Sequence, residues 1–129
     1  MILQLIFLKK CKTRMNKVNR INSSLIKTNK EIKFVFDGKQ YRGFQGDTLA
    51  SALTANGVKL IGRSFKYHRP RGLISSGSQE PNGLVELIYN NTREPNTKAT
   101  TIELSEGMIA KSQNCWPSLK FDLMSINDK

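Results

Sequence analysis

The stretch EIKFVFDGKQYRGFQGD constrains the fold more than any other part of this chain. Two short runs of strand-forming residues flank Asp37 and Gly38, a dipeptide that adopts the positive φ angles of a two-residue turn at little cost. Before that turn, Ile32, Phe34 and Phe36 recur at every second position, as in a strand with one buried face. The stretch therefore predicts a β-hairpin.

The next stretch, GDTLASALTANGV, predicts a helix. Asp47 or Thr48 can accept hydrogen bonds from the free N–H groups at its start, and Gly57 provides a left-handed stop. Further strands are predicted at GLVELIY and as a pair within ATTIELSEGMIAKSQ, with Glu106 and Gly107 as the turn. A hairpin, a helix, a long loop and more strands, in this order, predict an α+β fold of the β-grasp type, a mixed sheet packed on one helix.

Most of the net charge of +11 is concentrated at the start of the chain. Residues 1–33 hold nine Lys and Arg against one acid, whereas the remaining residues hold twelve against nine. Residues 1–30 lack periodicity and are expected to form a disordered basic leader. Met15 opens a plausible true start, so residues 1–14 are interpreted as an upstream mis-start. The apolar run at their beginning is too short to span a bilayer.

The body of the chain is predicted to be one domain, residues 31–115. Residues 116–129 end in apolar side chains without a closing element, which predicts a linker into a following domain that this chain lacks. Two cysteines, Cys11 and Cys115, are too few for a disulfide framework. A reduced, cytoplasmic setting fits them best.

A segment with neither helical nor strand period, GRSFKYHRPRGLISSGSQEPNGLV, follows the helix. From Lys59 to Arg71 there are five cations and no acid, and aromatic side chains lie among them. Pro70 disfavours helix and holds its neighbours extended. Two interpretations are open: a rigid cationic and aromatic docking edge, or an ordinary solvated loop. The residues assigned to the docking edge are Arg63, Phe65, Lys66, Tyr67, His68, Arg69 and Arg71, with Trp116 further along the chain.

Three longer stretches carry a family resemblance: FVFDGKQYRGFQGDTLASALTANGVKLIGRSFKYHRPRG, REPNTKAT and SQNCWPSLKFD. From about Asn19 onwards the chain resembles the start of the alpha subunits of heterotetrameric sarcosine oxidases, which begin with a domain shaped like a plant-type [2Fe–2S] ferredoxin. The resemblance implies a flavoenzyme complex that oxidises sarcosine and uses FAD, FMN, NAD and tetrahydrofolate. It implies the rest of the alpha subunit and the beta, gamma and delta subunits as partners. For this chain it implies scaffolding and docking, with no cofactor and no catalytic residue of its own.

Related domains that carry a cluster hold it through a Cys-x4-Cys-x2-Cys run and a fourth Cys after the next strand. On that frame the four ligand positions fall on Ser75, Glu80, Gly83 and Thr100. None of them is a cysteine, and hydroxyl groups are poor iron ligands at neutral pH. The sequence therefore predicts a loop with the shape of a cluster loop and without its metal.

Two other classes of function remain as alternatives. The net charge of +11 and the pI near 10.0 are typical of a small nucleic-acid-binding protein, whose affinity would fall steeply with salt. An electron-transfer [2Fe–2S] protein would need four thiolates, which the sequence lacks. The leading interpretation expects neither nucleic acid nor a membrane as partner. It leaves the enzymatic status of the isolated chain undecided, and His68, without an acidic partner at a suggestive spacing, is not predicted to be catalytic.

Overall fold

The computed structural model describes residues 19–21 and 24–128, with the backbone alone at 127–128. In this part of the chain, five strands form one mixed sheet in the order β2-β1-β7-β5-β6, and two short strands form a separate hairpin. The predicted β-grasp arrangement is confirmed. The elements are β1 (Lys27–Phe36), β2 (Lys39–Gln45), helix α1 (Leu49–Ala55), β3 (Gly62–Arg63), β4 (Pro70–Arg71), β5 (Leu84–Tyr89), β6 (Thr92–Lys98), β7 (Ile109–Ser112) and a 3₁₀ helix (Leu123–Asp128).

The first hairpin forms as its sequence predicts. β1 and β2 pair antiparallel and close at Phe36 opposite Lys39. Asp37 and Gly38 have φ angles of 49° and 74°, so both turn residues adopt the left-handed conformation that a tight hairpin turn requires. The alternating apolar residues of β1 point to one side of the sheet, where they are buried.

β1 also pairs with β7, which places strands from the two ends of the domain side by side in the middle of the sheet. This pairing is parallel, with Val35 opposite Ile109 and Phe36 opposite Ala110. The N–H of Val35 donates to the carbonyl of Met108 at 2.8 Å. Because a parallel pair needs a crossover connection, the chain has to return to the end of the sheet where β1 begins before it enters β7, and helix α1 lies in that connection.

Helix α1 packs with the sheet and completes the core. Leu49 and Leu53 are fully buried, together with Phe34 from β1 and Leu87 from β5. Each such side chain contributes roughly 1.5–3 kcal/mol when it leaves water. No helix in the described ranges is long and apolar enough to cross a membrane.

Both ends of α1 are fixed by specific contacts. Thr48 is the N-cap: its Oγ1 accepts from the N–H of Ser51 at 3.2 Å, and the Ser51 Oγ accepts in return from the N–H of Thr48 at 3.0 Å. Gly57, with φ of 77°, ends the helix in the left-handed conformation that the sequence predicts. The capping box makes the start of the helix well defined despite its length of seven residues.

The second half of the sheet differs from the prediction in two places. The first strand of the predicted pair at 99–104 is absent; instead, the carbonyls of Ala99 and Ile102 accept from the free N–H groups of Ala50 and Leu49 at 3.0 and 2.9 Å. The carbonyls of that segment bind the free N–H groups at the start of the helix, so they cannot pair with a strand of the sheet. Conversely, strand β6 was not anticipated by the pattern, because it is polar and largely exposed along its length, as edge strands often are.

Part of the predicted leader contacts the body. β1 extends to Lys27, on the N-terminal side of the domain boundary predicted at residue 31. Arg20 donates two hydrogen bonds to the buried carboxylate of Asp47, from Nη1 to Oδ1 at 3.0 Å and from Nη2 to Oδ2 at 2.6 Å. Its guanidinium also lies 4.9 Å from the ring centre of Phe44. Residues 1–18, which include the predicted mis-start, lie outside the described residues.

Asp47 is held by more than one donor. Its Oδ2 accepts from the N–H of Phe44 at 2.9 Å, and its Oδ1 accepts from the hydroxyl of Ser51 at 2.9 Å. Burial raises the pKa of Asp47, but the hydrogen bonds from Arg20, Phe44 and Ser51 outweigh it and hold the pKa below its usual range. The carboxylate therefore stays ionised and joins the leader, β2 and α1.

We expect Arg20→Ala to destabilise the full chain by roughly 2–3 kcal/mol, because it removes the charged partner of a buried carboxylate that keeps two other donors. Urea unfolding followed by circular dichroism measures the loss. Arg42→Ala is the matched control: its ion pair with Glu31 is exposed, with a separation of 3.1 Å, and should contribute less than about 1 kcal/mol.

The Arg20 contribution should also depend on pH. Because the pKa of Asp47 is lowered in the folded state, the contribution is fully present above the pKa of the unfolded carboxyl and is lost as the pH falls through the folded value. The stability gap between wild type and Arg20→Ala should therefore shrink on acidification. An equal loss for Arg20→Ala and Arg42→Ala at neutral pH would contradict this account.

Candidate functional site

The four positions assigned to cluster ligands come together in space. They lie along or beside the loop between β4 and β5, residues 72–83, named here the 72–83 loop. The Thr100 hydroxyl donates to the carbonyl of Gly77 at 2.8 Å, and the carbonyl of Gly83 accepts from the N–H of Ala99 at 2.8 Å. Glu80 lies at the centre and is fully buried, whereas Ser75 is at the surface.

The Glu80 carboxylate accepts four hydrogen bonds from the loop around it. Its Oε2 accepts from the N–H groups of Ile74 and Ser75, at 2.9 and 2.5 Å, and from the Ser75 hydroxyl at 3.2 Å. Its Oε1 accepts from the N–H of Asn82 at 2.9 Å. Burial raises the pKa of Glu80, but the hydrogen bonds from Ser75, Asn82 and Ile74 outweigh it and leave the pKa below its usual range.

This donor set does not fit an iron–sulfur cluster. A [2Fe–2S] cluster is held by thiolates, and the four positions offer two hydroxyls, a carboxylate already occupied by loop donors, and a glycine. Cys115 lies beyond β7, where its Sγ is 3.3 Å from the Ser112 hydroxyl. Among the described residues, no three His, Cys, Asp or Glu side chains lie close enough together to hold a metal ion.

The segment GRSFKYHRPR, residues 62–71, forms a small hairpin of its own, named here the basic hairpin. β3 and β4 pair antiparallel, with Gly62 opposite Arg71. At its tip, Phe65 is 85% exposed, and the Tyr67 ring lies 4.9 Å from the guanidinium carbon of Arg69 and 5.3 Å from the Lys66 Nζ. The tip therefore presents two cations in contact with one aromatic ring, that of Tyr67, and a second aromatic side chain, Phe65, in solvent.

Arg63 has a different environment from the other cations assigned to docking. Its side chain is only 9% exposed. Nε donates to the carbonyl of Leu119 at 2.9 Å, and Nη1 donates to the carbonyl of His68 at 2.7 Å. Arg63 thus ties the basic hairpin to the C-terminal segment, and its predicted role toward a partner stays a prediction.

His68 has an acidic partner that the sequence pattern does not reveal. Its Nδ1 lies 2.7 Å from Oδ2 of Asp122, whose side chain is fully buried. Oδ1 of Asp122 accepts from the N–H groups of Trp116 and Met124 at 3.2 and 3.1 Å. Burial raises the pKa of Asp122, but the Trp116 N–H, His68 and the Met124 N–H outweigh it and hold the pKa below its usual range.

The sequence carried one signal that Asp122 has a partner, although not which residue that partner is. Asp122 is a single acid within an otherwise apolar and basic run, PSLKFDLM, where an unpaired carboxylate would be costly to bury. The pairing could not be predicted because His68 and Asp122 are 54 positions apart in the sequence. We name the contacts of Arg63 and His68 with Asp122 and Leu119 the latch.

The C-terminal segment, residues 116–126, folds back on itself. Two of its residues, Leu119 and Asp122, take part in the latch. The N–H of Leu123 donates to the carbonyl of Trp116 at 2.9 Å, and Pro117 and Asp122 form an isolated bridge. This turn and the 3₁₀ helix occupy most of the predicted linker 116–129. The segment nevertheless leaves large apolar side chains in solvent: Trp116, Phe121, Leu123, Met124 and Ile126.

Comparisons with known proteins agree with the fold. The family described as "2Fe-2S iron-sulfur cluster binding domain" matches residues 29–115. Among solved structures, L-proline dehydrogenase from P. horikoshii superposes with a TM-score of 0.53 at 24% identity, covering 74% of this chain and 18% of that one. At this identity, the likeness shows the fold alone.

Curated relatives share more of the sequence. The alpha subunit of sarcosine oxidase from Rhizobium meliloti (strain 1021) is 55% identical over 103 residues, which is 80% of this chain and 10% of that protein. The subunit from Corynebacterium sp. (strain P-1) is 42% identical over 77 residues, 57% of this chain and 8% of that protein. The chain thus spans about a tenth of the length of these relatives. It belongs to the family of 2Fe-2S iron-sulfur cluster binding domains and is similar to the alpha subunits of sarcosine oxidases.

Proposed function

We propose that this chain is a scaffold and docking domain of a sarcosine oxidase alpha subunit, with no catalytic residue of its own. The assembled flavoenzyme would oxidise sarcosine to glycine in the cytoplasm, and its FAD, FMN, NAD and tetrahydrofolate would bind in other parts of the complex. The partners of this chain would be the rest of the alpha subunit and the beta, gamma and delta subunits. The relatives named above and the surface described below support this proposal.

One observation above all supports the docking role. The latch joins the basic hairpin to the C-terminal segment, and both present exposed side chains. The basic hairpin presents Phe65 and Tyr67 with their neighbouring cations, and the C-terminal segment presents Trp116 and Phe121, which are 63% and 65% exposed. Aromatic and Arg side chains are enriched at the centres of protein interfaces. Exposed apolar side chains on a fixed support are typical of a surface that another protein covers.

The contacts of the buried carboxylates and of His68 support a non-catalytic role. The carboxylates of Asp47, Glu80 and Asp122 are each occupied by donors from the chain itself. His68 uses its Nδ1 to hold Asp122, and the latch contacts are those expected of a fastening between two segments. These groups are engaged in holding the fold.

We expect Arg69→Ala combined with Arg71→Ala to weaken association with the remaining alpha subunit, because interface Arg residues cost about 1–3 kcal/mol each when removed. Folding should change by less than about 0.5 kcal/mol, as is usual for surface substitutions. Lys at both positions should restore little binding, since the planar guanidinium fork is lost. Titration calorimetry with the remaining alpha subunit, alone and in the assembled complex, measures the affinity.

Arg93→Ala is the matched control for this double variant, because Arg93 is an exposed arginine on the edge strand β6. It should bind as the wild type does. Normal binding by the double variant would instead mean that the basic hairpin is an ordinary solvated loop. Unfolding of the double variant would mean that these arginines are structural.

We expect Asp122→Asn to release the C-terminal segment while the sheet stays folded. The amide cannot accept the same contacts with His68 and Arg63 that the ionised carboxylate makes. Trp116 is the single tryptophan of the chain, so its fluorescence anisotropy reports the segment and should fall, whereas the far-ultraviolet circular dichroism should not change. Glu94→Gln on β6 is the control, and unchanged anisotropy in Asp122→Asn would show that the latch does not fix the segment.

A separate test addresses catalysis. The isolated chain should produce no peroxide from sarcosine, with or without FAD, FMN, NAD and tetrahydrofolate, because these cofactors would bind in other parts of the complex. A coupled peroxidase assay measures this, with a complete sarcosine oxidase as the positive control. Sarcosine-dependent peroxide from the chain alone would refute the non-catalytic role.

A further inference from the structure

The 72–83 loop is arranged around a negative charge. Its N–H groups at Ile74 and Ser75 approach the Glu80 carboxylate from one side, and the N–H of Asn82 approaches from the other. All four donors, including the Ser75 hydroxyl, are neutral groups, so the buried charge is stabilised by dipoles. Convergent backbone N–H groups of this kind are the usual construction of an anion-binding site in proteins.

The shape of the loop is matched to the stem of Glu80 as well as to its charge. A Cβ atom added at Gly83 would lie 2.6 Å from Cδ2 of Leu73, closer than real Cβ contacts come, and 3.1 Å from Cγ of Glu80, which is tighter than most of them. Glycine at this position therefore leaves room for the side chains of Leu73 and Glu80.

An iron–sulfur cluster held by thiolates is also an anion, and hydrogen bonds to its sulfur atoms are part of how a protein tunes it. The donor set at Ser75, Glu80, Gly83 and Thr100 does not fit such a cluster, while the N–H groups of the loop remain directed at a negative charge. We propose that the 72–83 loop is an anion-binding site for a carboxylate, filled by the chain's own Glu80 in place of the cluster after which the family is described. This inference does not depend on docking to any partner.

Removing the glutamate should then empty a site that a small carboxylate can fill. In Glu80→Ala the N–H groups of Ile74, Ser75 and Asn82 lose their acceptor, and the neighbouring Ile74 and Ser75 are exposed, which gives a small ion a way in. We expect amide hydrogen exchange at these three positions to accelerate roughly ten- to a hundredfold, because hydrogen bonds to a charged acceptor are lost. The amides of β1 and β7 should exchange as in the wild type.

Formate is the probe for the emptied site. Added to the full-length Glu80→Ala chain, sodium formate should restore the protection of the three loop amides, whereas sodium chloride at the same ionic strength should not. Formate should have no effect on the wild type, whose site is filled, or on the control Glu94→Ala, which changes an exposed carboxylate on β6. Loss of protection that formate does not restore better than chloride would overturn the proposal of an anion site.

Glu80→Gln keeps the experiment decisive if the alanine variant does not fold. The amide preserves the stem and the volume, but its NH₂ group would face N–H donors and its charge is gone. We expect faster exchange at Ile74 and Ser75 or at Asn82, depending on which side the amide nitrogen faces, and no recovery with formate, because the site is still filled. Wild-type protection at all three amides in Glu80→Gln would overturn the proposal, since it would show that the charge is not what holds the loop.

Discussion

The parallel pairing of β1 with β7 joins the two halves of the sheet, and the other elements are placed by it. On one side of this pair lies β2; on the other lie β5 and β6. Because the two central strands run in the same direction, the chain must return to the same end of the sheet between them. This crossover connection is about seventy residues long. Helix α1, the basic hairpin and the 72–83 loop all belong to that crossover, so their positions follow from the pairing.

Three buried carboxylates help to hold the irregular segments to the rest of the fold. Asp47 fastens residue 20 of the leader to the start of α1, Glu80 organises the 72–83 loop, and Asp122 fixes the C-terminal segment on the basic hairpin. The three sites differ in what balances the charge: an arginine for Asp47, neutral N–H groups and a hydroxyl for Glu80, and a mixture for Asp122. In each case hydrogen bonds outweigh burial and lower the pKa.

The sequence predicted those parts of the fold whose cause is local. The Asp37-Gly38 turn, the cap at Thr48 and the stop at Gly57 each depend on residues within one turn of the chain. Strand β6 was missed because an exposed edge strand needs no apolar alternation. A strand was expected at 99–104 because β-branched residues are frequent there, but the backbone of that segment is used by the helix.

The candidate site, like the fold, could be predicted from the sequence only where the cause is local. The frame of cluster positions identified Ser75, Glu80, Gly83 and Thr100, since it depends only on spacing along the chain. What Glu80 does there could not be predicted, because its donors become neighbours only when the loop closes around it. The partner of His68 was likewise invisible: Asp122 lies 54 residues away, and only the tertiary fold brings the two together.

A carboxylate that belongs to the polypeptide is present in one copy per chain from the moment of synthesis. A metal cluster has to be built from iron and sulfide and delivered by other proteins, and oxidants can take it apart. A loop closed by Glu80 needs neither supply nor delivery, so every newly made chain can complete it. Closure of this loop would then depend on the folding of the chain and not on a supply of iron.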